Sequence, residues 1–281
     1  MSVYEYNWGV ASLDRYLDDL LSRGRAYFSK KDGLEALGRS ANAFSTAARR
    51  LVKKRRLTRP RLGFYLIVRP EERAMGAPDP ARWIDPFMKY LVLDYRISLL
   101  RAAAFHGSSH QAAMVFQVVV PKQLRSFDIG RHKIQFVYQS PMAFAKTNQT
   151  DLLCQLKTDA GFAKAAGIEL TLLDSVRYFH KAAGISGAAQ IVHDLGRGAN
   201  PHKLSKAAAE YENSAVRRLG YLLEHFGHER QANALVSYAK KAKSMKPLDP
   251  SVKSLVETLN EPRENNSKWM LIINDTVEID S

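Results

Sequence analysis

The stretch SANAFSTAARRLVKKRRLTRPRLGF, residues 40–64, decides how the N-terminal part of the chain is read. Ser40 can N-cap a helix running to about Lys54, because Ala43, Phe44, Ala47, Ala48, Leu51 and Val52 recur with a period near 3.6 and form one apolar face. The complementary face, Asn42, Ser45, Thr46, Arg49, Arg50 and Lys53, is an unbroken polar stripe. Its first half is small and rich in hydrogen-bonding groups, which suits base edges in a major groove. Its second half is cationic, which suits phosphates. Beyond it, Arg55–Arg59 and Gly63–Val68 read as two strands around a Pro60, Arg61, Leu62 turn, anchored by Leu57 and by alternating Phe64, Leu66 and Val68. Such a hairpin is a wing, with Arg56, Arg59 and Arg61 on or near its tip.

Two shorter helices are expected upstream. Ser12 caps the first, with Leu13, Tyr16, Leu17, Leu20 and Leu21 on one face and Gly24 at its end. Ser29 and Asp32 have the spacing of a capping box for the second, which carries Leu34 and Leu37 and turns at Gly38. Two capped helices, a tight turn, a third helix and a wing make a winged helix-turn-helix. The charge agrees with this. Lys and Arg total 42 against 28 Asp and Glu, a formal +14, and residues 39–69 hold ten cations and no acid. The excess is therefore local, which points to a docking surface for a polyanion. A solvated basic hairpin, or a nuclear-targeting run at Lys53–Arg56, would not require the cations to coincide with a groove-sized helix.

Length and composition fit two globular domains: 281 residues, 46% hydrophobic and 25% charged. A single cysteine, Cys154, excludes an internal disulfide framework and a multi-cysteine zinc site, and it indicates a reducing compartment. The first nine residues, with Tyr4, Glu5, Tyr6 and Trp8, lack a secretory pattern. The strongest apolar run, 112–120, is about half the ~18–20 residues needed to cross a bilayer. A soluble, cytoplasmic protein without membrane contact is expected.

Four prolines in 69–86 mark a boundary and rigid connector whose Trp83 and Ile84 must pack somewhere. A helical pattern follows over 86–105, then strand-like runs at 114–120, 134–138 and 142–146. Helical segments are expected near 160–167, 170–183, 187–195, 202–211, 216–226 and 231–241, with a late strand at 269–273. This second region contains no strong chemical motif. His106 and His110 are four apart, but Gly107, Ser108 and Ser109 break the helix that would align them on a metal. Gly107 with Ser108, and Glu278 with Asp280, have the wrong order and spacing for a nucleotidyltransferase site. Cys154, between leucines, reads as a core thiol, and His180, His193, His225 and His228 as structural or surface histidines. Asp151, Asp159 and Glu169 read as surface helix charges, and Arg217 with Arg218 as an extra basic patch. Neither cofactor, metal nor catalytic residue is expected.

Gly63, Phe64 and Tyr65, followed by Pro78, Asp79, Pro80, Trp83 and Ile84, resemble the AbiEi family of type IV antitoxins. So do Tyr95, Ser98, Leu99, Ala102, Ala103, His106 and Gly107, then 118–122, 170–174, 218–224 and 269–274. The resemblance implies a bacterial α+β protein serving phage defence. A winged helix-turn-helix domain over 1–75 would bind inverted repeats of double-stranded DNA in its own promoter, as two copies on DNA. A mixed α/β, helix-rich antitoxin domain over 76–281 would counteract a nucleotidyltransferase-like toxin, with or without direct contact. The competing expectation is a nucleic-acid-processing enzyme, or a binder of structured RNA, that uses the basic N-terminal domain as an anchor.

Overall fold

A computed structural model describes residues 12–108, 115–158, 161–252, 264–277 and 279. The first helix, α1 (Leu13–Ser22), starts at Ser12, whose hydroxyl accepts the Arg15 N–H at 3.2 Å, and it buries Leu13, Leu17 and Leu20. After β1 (Tyr27–Ser29), Ser29 and Asp32 cap each other's backbone N–H groups and launch α2 (Lys30–Leu37), which Gly38 ends in the left-handed region at φ +57°. Ser40 then accepts the Ala43 N–H and opens α3 (Ala41–Lys53), which buries Phe44, Ala48 and Leu51. The helix closes by a Schellman pattern, with Arg55 N–H on the Val52 carbonyl at 3.0 Å and Arg56 N–H on the Leu51 carbonyl at 2.9 Å. These two residues end the helix, so the next strand, β2 (Leu57–Arg61), begins later than its sequence pattern predicts. Residues Leu62 and Gly63 turn the chain into β3 (Phe64–Ile67), the middle of an antiparallel sheet ordered β1, β3, β2.

All four residues of β3 are buried, on both sides. Tyr65 and Ile67 face the three helices, where Tyr65 stacks on Phe28 and meets Phe44 edge-on. Phe64 and Leu66 face the other way, onto Trp83 and onto α4 (Ile84–Tyr90). Phe64 stacks on Tyr27 and meets Phe87 at 5.3 Å. The proline-rich connector is thus pulled into a core. Trp83 is fully buried, and its indole N–H reaches the Pro78 carbonyl at 3.0 Å.

Beyond α4 the expected single helix over 86–105 is broken into β4 (Arg96–Ile97) and α5 (Leu99–Phe105), with Val92 and Leu99 at positive φ marking the breaks. Next come β5 (Val115–Val120), β6 (Phe127–Ile129), β7 (His132–Tyr138), α6 (Pro141–Thr147), β8 (Leu153–Thr158) and β9 (Gly161–Ala166). The predicted strand at 142–146 is α6, because the Ser140 hydroxyl caps it and Pro141 occupies its first turn. The predicted helix at 160–167 is β9, whose short alanine-rich run pairs antiparallel with β8. A mixed six-stranded sheet results, ordered β6, β7, β5, β4, β9, β8.

The sheet has two apolar faces. Phe116, Val118, Val120, Ile134 and Phe136 face Trp83 and α4, while Val119 and Val137 face a helical layer. That layer contains α7 (Ile168–Arg177), α8 (Gly184–Leu195), α9 (Pro201–Ala208) and α10 (Asn213–His225). The helix expected over 231–241 is two short ones, α11 (Glu229–Asn233) and α12 (Val236–Lys240). A small sheet of β10 (Lys246–Pro247), β11 (Glu264–Asn266) and β12 (Leu271–Ile273) seats Trp269 against Gly220 of α10, where a Cβ would come within 2.0 Å of the ring.

Several residues read as surface charges are interior. Arg217 and Arg218 form no basic patch: they are 3% and 8% exposed and donate to the carbonyls of Ser244, Met270 and Pro247. Glu169 is buried and accepts the Asn200 N–H at 2.7 Å, joining α7 to the start of α9. Arg96 and Asp174, both 0% exposed, form a two-pronged pair at 3.0 Å per hydrogen bond. Ser98 and Tyr211 also donate to Asp174, and Arg96 also donates to Gln139. Burial is the largest single influence on Arg96 and lowers its pKa, but the Asp174 charge, the neighbouring Tyr211 and the hydrogen bonds to Asp174 together outweigh it and hold the guanidinium above its ordinary value. The pair joins β4 to α7, and so the sheet to the helical layer. Asp174→Asn should therefore cost about 3–5 kcal/mol in chemical denaturation of the whole chain, because it strands a buried cation.

Candidate nucleic-acid interface

The cap at Ser40 and the apolar seam of Phe44, Ala48 and Leu51 set the rotation of α3. With that seam inward, Asn42, Thr46, Arg49, Arg50 and Lys53 are all exposed, and Ser45 is half-buried. The Ser45 hydroxyl donates to the Ala41 carbonyl at 2.7 Å, so only its lone pairs are left for a ligand. The rest of the stripe presents an amide and a hydroxyl toward the N-terminal end and three cations toward the C-terminal end. Lys54 and Arg55 extend the cationic end, and Arg59 and Arg61 are exposed on β2. Among the described residues, no carboxylate lies within 4.0 Å of any of these seven cations.

Arg56 departs from the sequence reading. It lies at the base of the wing, is 27% exposed, and is ion-paired with Asp14 and with Asp18 of α1, the latter at 2.8 Å. The acids come from outside the acid-free block, so counting charge along the chain could not find them. Arg69 likewise faces Glu71, at 4.0 Å. Arg56 holds the start of the β2–β3 hairpin to α1 and is not free for a ligand.

The wing tip is held from behind. Gly63 sits at φ +85°, and the Tyr90 hydroxyl donates to the Leu62 carbonyl at 3.0 Å. The Leu62 side chain, in the turn between β2 and β3, is 83% exposed.

The second region offers no comparable set of free groups. Ser108 is buried and donates to Asp194 at 2.5 Å, while His193 meets the other oxygen of Asp194 at 3.1 Å. The serine therefore faces a carboxylate and not the imidazole that would have to take its proton. His106 Nε2 meets the Ala166 carbonyl at 2.8 Å. Burial pushes the half-buried Cys154 thiol above its ordinary pKa, which disfavours the thiolate. No group of three or more metal-ligating side chains occurs among the described residues. Ser109, His110, Asp159, Glu278 and Asp280 lie outside them. Nor is any described helix long and apolar enough to cross a membrane.

Segments that carry the family resemblance meet in space. Ser98 reaches Asp174 at 2.6 Å, and Trp269 reaches Glu224 at 2.5 Å through its indole N–H. The crystal structure of the RV2827C protein from Mycobacterium tuberculosis is similar over 92% of this chain and 90% of its own, with a TM-score of 0.61 and 16% identity, a likeness of fold. No curated protein matches the chain. Residues 96–225 match the model of the family described as the AbiEi antitoxin C-terminal domain. They run from Arg96 through the helical layer to His225, and over that span the chain is similar to the AbiEi antitoxin family.

Proposed function

We propose that the N-terminal body is a winged helix-turn-helix that binds inverted repeats in double-stranded DNA, so that the chain represses its own operon. In the same reading, its AbiEi domain is the antitoxin of a type IV system and counteracts a nucleotidyltransferase-like toxin. The observation that carries the DNA-binding half is the placement of Arg49, Arg50 and Lys53, exposed and without acidic partners among the described residues on a helix whose opposite face is locked in a core. An exposed helix with a polar face of small groups followed by cations has the width and chemistry for a major groove and its flanking phosphates.

Arg55 gives independent support. It holds the left-handed position that ends α3, at φ +54°, where glycine is the usual residue. A side chain there costs about 1 kcal/mol or more. An exposed arginine retained at that cost fits selection for its charge, not for stability.

Four outcomes are expected. A duplex from the promoter region upstream of the gene should bind with a log–log salt slope near −5 if about six phosphates are contacted. Arg49→Ala and Arg50→Ala should each flatten that slope by about one, or weaken binding by ~1–3 kcal/mol if the residue reads a base, while Asn42→Ala or Thr46→Ala should shift sequence preference. Binding that is undetectable or independent of salt would reject the reading. Arg55→Gly should raise the unfolding free energy by about 1 kcal/mol while weakening duplex binding. Finally, the double substitution of Arg49 and Arg50 by Ala should release a promoter reporter yet still rescue growth when co-expressed with the toxin, which separates the two activities.

A further inference from the structure

A groove of about 810 Å³ runs between the wing and the six-stranded sheet, where β2 lies against β6. Its cations come from both sides of the joint: Arg61 from the wing, and Lys122 and Arg125 from the loop between β5 and β6. All three are exposed, and none has a carboxylate within 4.0 Å among the described residues. Asp128, also exposed, is the acid on the groove wall. The floor includes Phe87 and Phe136, which are 1% and 7% exposed. The loop is held in place, since the Ser126 hydroxyl accepts the Phe136 N–H at 3.1 Å.

Like charges gathered over an apolar floor repel one another, and a shared anion relieves that repulsion. Phe87 and Phe136 are too deeply buried to stack on bases, and the half-buried Phe127 ring packs against both, at 6.0 and 6.1 Å, so the group recognised is the phosphate. Arg61 lines the groove and Arg59 is exposed two residues before it on β2, which suits a polymer that leaves the wing and continues across the second region.

We propose that Lys122 and Arg125, in the second region, grip the phosphodiester backbone of the duplex beyond the wing, so that both regions hold the DNA. This rests on the DNA-binding reading above. The experiment is fluorescence anisotropy on the whole chain, comparing wild type, Lys122→Gln/Arg125→Gln and the charge-keeping Lys122→Arg/Arg125→Lys. Each is measured from 50 to 200 mM salt on the full promoter duplex and on one shortened by about 10 base pairs on the wing side.

Two lost phosphate contacts should flatten the salt slope by roughly 1.8, so that the wild-type advantage shrinks about 12-fold across that range. The charge-keeping variant should behave as wild type, and the shortened duplex should bind all three alike. If wild type binds the duplex and the Gln variant matches it in affinity and slope, this inference fails and the DNA-binding reading stands. If wild type binds no duplex, both fall. Loss of structured-RNA binding with unchanged duplex binding would assign the groove to RNA and overturn the proposal.

Discussion

Four consecutive buried side chains on β3 impose the main constraint on this molecule. A strand presents alternate residues to opposite faces, so Phe64 to Ile67 can be buried throughout only if apolar layers cover the sheet on both sides. The three N-terminal helices supply one layer, and Trp83 with α4 supplies the other. The layer formed by Trp83 and α4 also rests on the six-stranded sheet, whose far side carries the helical layer of α7 to α10. The layers are thus stacked through β3, and the direction in which the β2–β3 hairpin points is set by packing.

The buried ion pair of Arg96 and Asp174 extends that registration through the stack. A charge pair without water tolerates little misalignment, since each unmade hydrogen bond leaves a costly desolvated group. Here both carboxylate oxygens are claimed, by the guanidinium and by the hydroxyls of Ser98 and Tyr211. Apolar contacts determine how deeply the helical layer packs on the sheet, while this network determines where along the strands it sits.

The N-terminal half was largely legible because its signals are local. Caps lie within three residues of what they cap, and the seam of α3 repeats at a fixed interval, so Ser12, Ser29, Ser40 and Phe44 act as their spacing predicts. The second half depends on distant partners. The run over 161–166 is a strand because β8 and β4 flank it, and eight successive residues of α7 are buried, so no polar face betrays its rotation. Charges misled for the same reason. Nothing near Arg217, Glu169 or Asp174 in sequence announces a buried partner, and Arg56 sits in a cationic run yet is claimed by acids some forty residues upstream. The polar stripe of α3 could be placed on one side of the protein from sequence, whereas the basic loop at 122–125 could not be connected with the wing.

The acids that hold Arg56 have a second effect. Asp14, Asp18 and Asp19 remain about half or more exposed along α1, next to the most cationic part of the surface. Under the DNA-binding proposal, a polyanion on α3 would be attracted on one flank and repelled on the other, which would give the contact a border. Such a fringe penalises a backbone that rolls toward α1 and leaves the wing side as the open path. On that proposal the handedness of docking would be written partly in negative charge.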